Sequence, residues 1–113
     1  MPVKAAMHAY GNERLNCAQS VLKGFREQVE ISQQDIDEAQ GLGAGKAPDG
    51  ICGALYAALR LLENPEERET VRGAFAVRTG SEQCRAIRKA RRVSCVQCVE
   101  IAAKLLYAVV APR

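Results

Sequence analysis

The sequence predicts an all-α fold, a compact bundle of about six short helices. Three observations carry that expectation. Apolar residues recur at spacings of three and four in one segment after another, as in "NCAQSVLKGF" and "ICGALYAALRLL". Capping residues, glycines and prolines interrupt those segments at short intervals, leaving only tight connections. No stretch alternates apolar and polar residues for the length of a strand. The hydrophobic fraction is 48%, yet only 4% of residues are aromatic and Trp is absent, so the core has to be built from Ala, Leu, Val and Ile. Such small side chains let helices approach closely. At 113 residues the chain is expected to form a single helical domain over 1–113, large enough to bury roughly 65% of its unfolded surface.

The first helix is expected from Pro2 to about Tyr10, ended by Gly11-Asn12. Asn12 is then the cap of a second helix reaching about Glu27, with Leu15, Ala18, Leu22 and Phe25 on its apolar stripe and Cys17 in its middle. Ser32 caps a short acidic helix that stops at the glycines from Gly41. After the loop Gly43–Gly50, a helix Ile51–Glu63 aligns Cys52, Leu55, Leu59 and Leu62. Asn64-Pro65 opens the next helix, with proline at its first position, and Gly80 closes it. Ser81 is read as the cap of "EQCRAIRKARR" and Ser94 as the cap of the last helix, which Pro112 ends. There is no repeat, no low-complexity tract and no linker.

The glycine-rich stretch "GLGAGKAPDGICG" does not read as a nucleotide loop. Gly45-Lys46 is followed by Ala47 where a phosphate loop needs Ser or Thr, and Gln40 stands where its first glycine belongs. No strand precedes it, which also removes the dinucleotide-binding pattern. Its glycines are expected to let backbone approach something bulky and to set Cys52 in the first turn of a helix.

Five cysteines are the chemical content of the chain. The N-terminus has no hydrophobic signal core, and no stretch approaches the ~20 apolar residues of a membrane span. A cytoplasmic protein without membrane partner is therefore expected. In a reducing compartment clustered cysteines ligate metal or exchange electrons rather than build a disulfide framework. Cys52, Cys84, Cys95 and Cys98 fall in the first turns of predicted helices, where free N–H groups and the helix dipole favour thiolate. A helical wheel places Cys95 and Cys98 opposite the polar face of Gln97, Glu100, Lys104 and Tyr107, so both are expected inward. Cys95-Val96-Gln97-Cys98 has redox and metal spacing. Val99 stands where a haem attachment site has His, and the lone His8 with no second CxxC does not make a standard zinc finger.

Arg85, Arg88, Lys89, Arg91 and Arg92 form a basic run, read first as a solvated helix face and second as cations placed beside Cys84 and Cys95. The net charge of +3, with no stacking aromatics near the run, gives no nucleic-acid site. His8 is expected to be a surface or packing residue. Asp35, Asp37 and Glu38 lack a second carboxylate group for hydrolysis, and nothing in the chain names an enzyme activity.

"NCAQSVL", "GICGALYAAL", "GSEQC" and "CVQCVEIAAKLL" occur in this order from Asn16 to Leu106. Their combined order and spacing resemble the redox-active C_GCAxxG_C_C proteins, small helical proteins of mostly anaerobic bacteria with four characteristic cysteines. The resemblance implies that Cys17, Cys52, Cys84 and Cys95 are those four, with Gly53 and Ala54 completing the core motif and Cys98 additional. One position departs: Ala57 replaces the last glycine of CGAxxG. On this resemblance the four thiolates are expected to hold an iron–sulfur cluster, [2Fe–2S], for electron transfer or redox sensing, with Gly50 and Gly53 giving the cofactor room. The alternatives are a metal-free thiol–disulfide protein using Cys95 and Cys98 with a redox partner protein, and a zinc-stabilised interaction module. The oligomeric state stays open.

Overall fold

Helix caps decide where the elements of the computed structural model begin, and those starts position everything that follows. The structure describes residues 2–43 and 45–110. Seven α-helices occur in order: α1 Pro2–Asn12, α2 Cys17–Gly24, α3 Gln33–Glu38, α4 Gly53–Arg60, α5 Pro65–Thr79, α6 Cys84–Ala90 and α7 Cys95–Val110. Two 3₁₀ turns, Ala39–Leu42 and Pro48–Gly50, lie between α3 and α4. The all-α expectation holds, and each of the seven segments read as helical from the sequence forms a helix. Among the described residues the only β-pairing is an isolated antiparallel bridge, Ile51 to Gln83. No helix among them is long and apolar enough to cross a membrane. The expected stop at Pro112 lies outside the described residues.

Several caps fall where the sequence places them. Ser32 and Asp35 form a reciprocal capping box on α3. Asn64 Oδ1 accepts from the N–H groups of Glu66 and Glu67, with Pro65 at the first helical position of α5. Ser94 Oγ accepts from Gln97 N–H while Gln97 Oε1 accepts from Ser94 N–H, closing a box at the start of α7. Gly80 closes α5 in the left-handed conformation.

Three helix starts differ, and each moves a cysteine. Asn12 does not cap α2; it ends α1, with its side chain beside His8. The chain then turns through Arg14 at φ 57°, and Asn16 forms the capping box with Gln19. A reciprocal pair of side chain to backbone bonds, at 2.8 and 3.1 Å, outcompetes a lone asparagine four residues earlier. Cys17 is therefore the first residue of α2 and not mid-helix. That helix ends at Gly24, short of Glu27. Ser81 does not cap α6 directly; its Oγ accepts from Gln83 N–H, and α6 begins at Cys84. The bridge to Ile51 holds Gln83 extended. Finally, α4 starts at Gly53 with Cys52 as its cap residue.

The core joins α2, α4 and α7, with α1 against α2 and α7 and α5 against α7. Alanine packing is as expected: Ala18, Ala54, Ala58, Ala102 and Ala103 are fully buried, and Phe25 and Phe75 fill the widest gaps. Leu55, Leu59 and Leu62 are buried on one stripe with Cys52. The Cα radius of gyration is 12.4 Å, slightly below the ~13 Å typical of a folded chain of this length.

Candidate functional site

All five cysteines sit in the first turn of a helix, counting Cys52 as the cap of α4. The N-termini of α2, α4, α6 and α7 converge on one cavity of about 950 Å³, and Cys17, Cys52, Cys84, Cys95 and Cys98 all line it. Every helix that brings a sulfur also brings unpaired N–H groups and the positive end of its dipole.

The convergence has identifiable local causes. Asn16 Nδ2 donates to the carbonyls of Ala39 and Gln40, at 3.0 and 2.9 Å, and so ties the start of α2 to the glycine stretch. Cys52 N–H donates to Glu82 O at 2.8 Å, which ties the start of α4 to the start of α6. Gly53 brings backbone tightly against this site. A Cβ there would stand 2.8 Å from Cys17 Sγ and 2.9 Å from Leu42 O. Gly50, at φ 70°, would bring a Cβ to 2.9 Å from Gln83 Oε1. Neither Gly50 nor Gly53 lines the cavity. Ala57, at the position that departs from the motif, is buried in the core away from the cavity lining.

The sulfurs divide into two groups. Cys52 and Cys98 are buried. The Cys17 thiol donates a hydrogen bond to Cys52, and the Cys52 thiol donates to Cys98. Donation to Cys52, then burial, pushes the Cys17 thiol far up, against N–H groups of Ala54 and Ala18 that favour its thiolate. The bond from Cys17 pulls Cys52 down, but its own donation to Cys98 together with burial leaves it pushed up to about 12. Cys98 receives that bond and is held below the usual thiol range, despite burial. On the other wall, Cys84 and Cys95 are half-buried. Burial raises the Cys84 thiol, opposed by Arg88. Cys95 Sγ lies 3.8 Å from Arg88 Nη2 and accepts from the Tyr10 hydroxyl. Burial first, and then that bond, push Tyr10 up to about 12.

The structure thus brings Cys17, Cys52, Cys84 and Cys95 to one cavity, and adds Cys98 in contact with Cys52. Among the described residues no three Cys, His, Asp or Glu side chains form a ready-made site for one metal ion. His8 is exposed, as expected, beside Asn12 and Glu13. Two lining residues were not anticipated, and the basic run takes its second reading in part. Tyr10 and Arg14 come from α1 and the turn after it. Arg88, Arg91 and Arg92 line the cavity rather than standing only in solvent, whereas Arg85 and Lys89 point away from it. Part of the signal was present in the sequence: Arg88 falls one turn after Cys84 on α6, whereas Arg91 and Arg92 lie beyond the helix, past the left-handed turn at Arg91.

The family model described as "Putative redox-active protein (C_GCAxxG_C_C)" matches residues 15–109. The chain belongs to the C_GCAxxG_C_C family. The match runs from the turn before Cys17 nearly to the end of α7, so it takes in every cysteine at the cavity. Nothing matches among curated proteins or among solved structures.

Proposed function

We propose that this C_GCAxxG_C_C protein is a one-electron carrier or redox sensor whose cavity thiolates hold an iron–sulfur cluster, [2Fe–2S]. The observation that carries this reading is the convergence of four helix N-termini, each bearing cysteine, on one cavity. The donor set suits such a group: among the described residues the lining offers five thiols and no carboxylate or imidazole. Four sulfurs around one zinc ion would each stand about 2.3 Å from a single point. A two-iron cluster would take four thiolates as two pairs and needs no such single point.

Cys17, Cys52, Cys84 and Cys95 are the proposed ligands. A bound cluster supplies reversible one-electron exchange. The chain's own residues do the rest. N–H groups of Ala18, Ala54 and Leu55 point at the sulfurs of Cys17 and Cys52 and stabilise their negative charge. Arg88 and Tyr10 donate to Cys95 from the open side. Gly53 lets Cys17 Sγ reach the start of α4. Anaerobic purification followed by a visible spectrum with iron and labile-sulfide assays tests this directly. Iron and sulfide near stoichiometry, kept in Cys98→Ser and lost in Cys95→Ser, is the expected result. Loss in Cys98→Ser with retention in Cys95→Ser would exchange the fourth ligand, and iron-free protein would overturn the reading.

One observation favours a second reading, a metal-free thiol–disulfide protein. The sulfur in contact with Cys98 is Cys52 rather than Cys95, so the reacting pair is drawn there. The Cys98 thiolate attacks one sulfur of a partner disulfide and expels the other as thiolate. Cys52 then loses its proton and displaces the bound partner. The product is a Cys52–Cys98 disulfide, with the partner reduced by two electrons and two protons. Mass mapping of the disulfide after mild oxidation of iron-free protein separates this pair from Cys95–Cys98.

A further inference from the structure

The outer face of the cavity carries five cations. Arg14, Lys46, Arg88, Arg91 and Arg92 line it, and among the described residues no Asp or Glu does. The ion pairs of the described residues lie elsewhere: Glu13 with His8 and Lys23, Arg72 with Glu69 and Glu82, Lys104 with Glu100. Only Arg88 hydrogen-bonds a sulfur. The side chains of the other four have no hydrogen-bond partner among the described residues. Five like charges gathered around one opening repel one another, and a fold that needed them only for solubility would scatter them.

The backbone gives a second, independent sign. Among the described residues three non-glycine positions adopt positive φ: Arg14 at 57°, Asp49 at 60° and Arg91 at 56°. Two of the three are cavity arginines. A left-handed conformation is unfavourable for a residue with a Cβ, and glycine or asparagine would suit both turns better. Strained backbone retained under a side chain aimed at a cavity is a sign that the side chain is used.

We infer that the cavity mouth is a binding site for a small, multiply charged oxyanion, a molecule with two or more carboxylate or phosphate groups, held beside the redox sulfurs by Arg14, Lys46, Arg88, Arg91 and Arg92. The volume of about 950 Å³ lies within the range of small-molecule sites. Four of the five cations are guanidinium forks, whose paired N–H groups match carboxylate and phosphate oxygens two at a time. Asn16, Gln97 and Ser94 at the same cavity add neutral polar groups. A ligand seated there lies against Cys95, which shares Arg88 with it.

The test is titration of the reduced, full-length protein under anaerobic conditions with inorganic pyrophosphate and, separately, citrate. Heat and amide chemical shifts are followed at constant ionic strength set by chloride. Saturable one-to-one binding is expected, weakening as salt rises, with acetate at least about tenfold weaker. The preference between pyrophosphate and citrate decides which oxyanion the site takes. Arg88→Gln and Arg91→Gly are each expected to weaken binding about tenfold, the loss of one charge-assisted bond. Arg91→Gly keeps its fold, because glycine is at ease in that conformation. Arg72→Gln, on an arginine ion-paired outside the cavity, leaves binding unchanged. Non-saturable binding, or equal affinity in the Arg88, Arg91 and Arg72 variants, overturns the inference. Iron content is read separately, so a protein without cluster that still binds pyrophosphate saturably leaves this site standing.

Discussion

The two walls of the cavity hold sulfur by opposite means. On the inner wall Cys17, Cys52 and Cys98 lie in contact, stabilised by helix N–H groups and by close approach of backbone at Gly53. On the outer wall Cys84 and Cys95 are half-buried among arginines and Tyr10. The inner wall is thus part of the core, and changes there should cost stability. The outer wall is a charged rim that contributes little to folding and is free to serve binding. In Gly53 the inner arrangement has a single point of failure.

Gly53→Ala has the largest expected effect. The new methyl would sit 2.8 Å from Cys17 Sγ and 2.9 Å from Leu42 O, one of them backbone. Overpacking of this kind costs roughly 2–3 kcal/mol, a drop in thermal midpoint of roughly 10 °C. Thermal unfolding measures it, and an unchanged midpoint would show the inner wall to be loose. Asn16→Ala follows. It removes a capping box worth ~1 kcal/mol and two bonds to the Ala39 and Gln40 carbonyls, for a total of about 2 kcal/mol in urea unfolding.

Alkaline pH separates the walls by charge. In iron-free, reduced protein the Cys17, Cys52 and Cys84 thiols are all raised, Cys52 to about 12 from an ordinary value of 9.0. Between those two values the folded state keeps protons that the unfolded state has released, so stability falls as pH rises. The lowered Cys98 works the other way: its contribution is present above the ordinary thiol value and is lost as pH falls through its folded value. Three groups oppose one, with the strongest shifts on the inner wall. A lower urea midpoint at pH 10.5 than at pH 8 is expected, with a smaller drop in Cys52→Ser. A flat profile would mean that the inner thiols are solvated.

How much of this was legible in the sequence follows the range of the interactions. Local signals read well: Ser32, Ser94 and Asn64-Pro65 all cap or open helices, and Cys52 shares its buried stripe with Leu55 and Leu59. Where two local signals compete, the stronger decides. The pair Asn16 and Gln19 overrides Asn12, and recognising that box would have put Cys17 at a helix start. Contacts between distant segments left no mark of this kind. Cys52 lies 46 positions before Cys98, and only the packing of α4 on α7 brings them together. The role of Gly53 is likewise a matter of which sulfur arrives over it. The basic run is an intermediate case: Arg88 one turn from Cys84 is readable, but the left-handed turn at Arg91 that ends α6 is not.

The smallest expected effect carries the sharpest contrast between the walls. Arg14 is exposed, makes no ion pair among the described residues and stands at φ 57°. Arg14→Gly trades a left-handed strain of ~1–2 kcal/mol against glycine's greater loss of freedom, about 0.5–1 kcal/mol. The two nearly cancel, so the urea midpoint should stay or rise slightly, with a net gain of less than about 1 kcal/mol. Adding a methyl at Gly53 has the opposite sign and larger size, because there the space is already taken by a sulfur and a backbone carbonyl. A loss above about 1 kcal/mol in Arg14→Gly would place the arginine stem within the packing of the turn before α2. The outer wall would then belong to the core, and its arginines would have a reason to be there that involves no ligand.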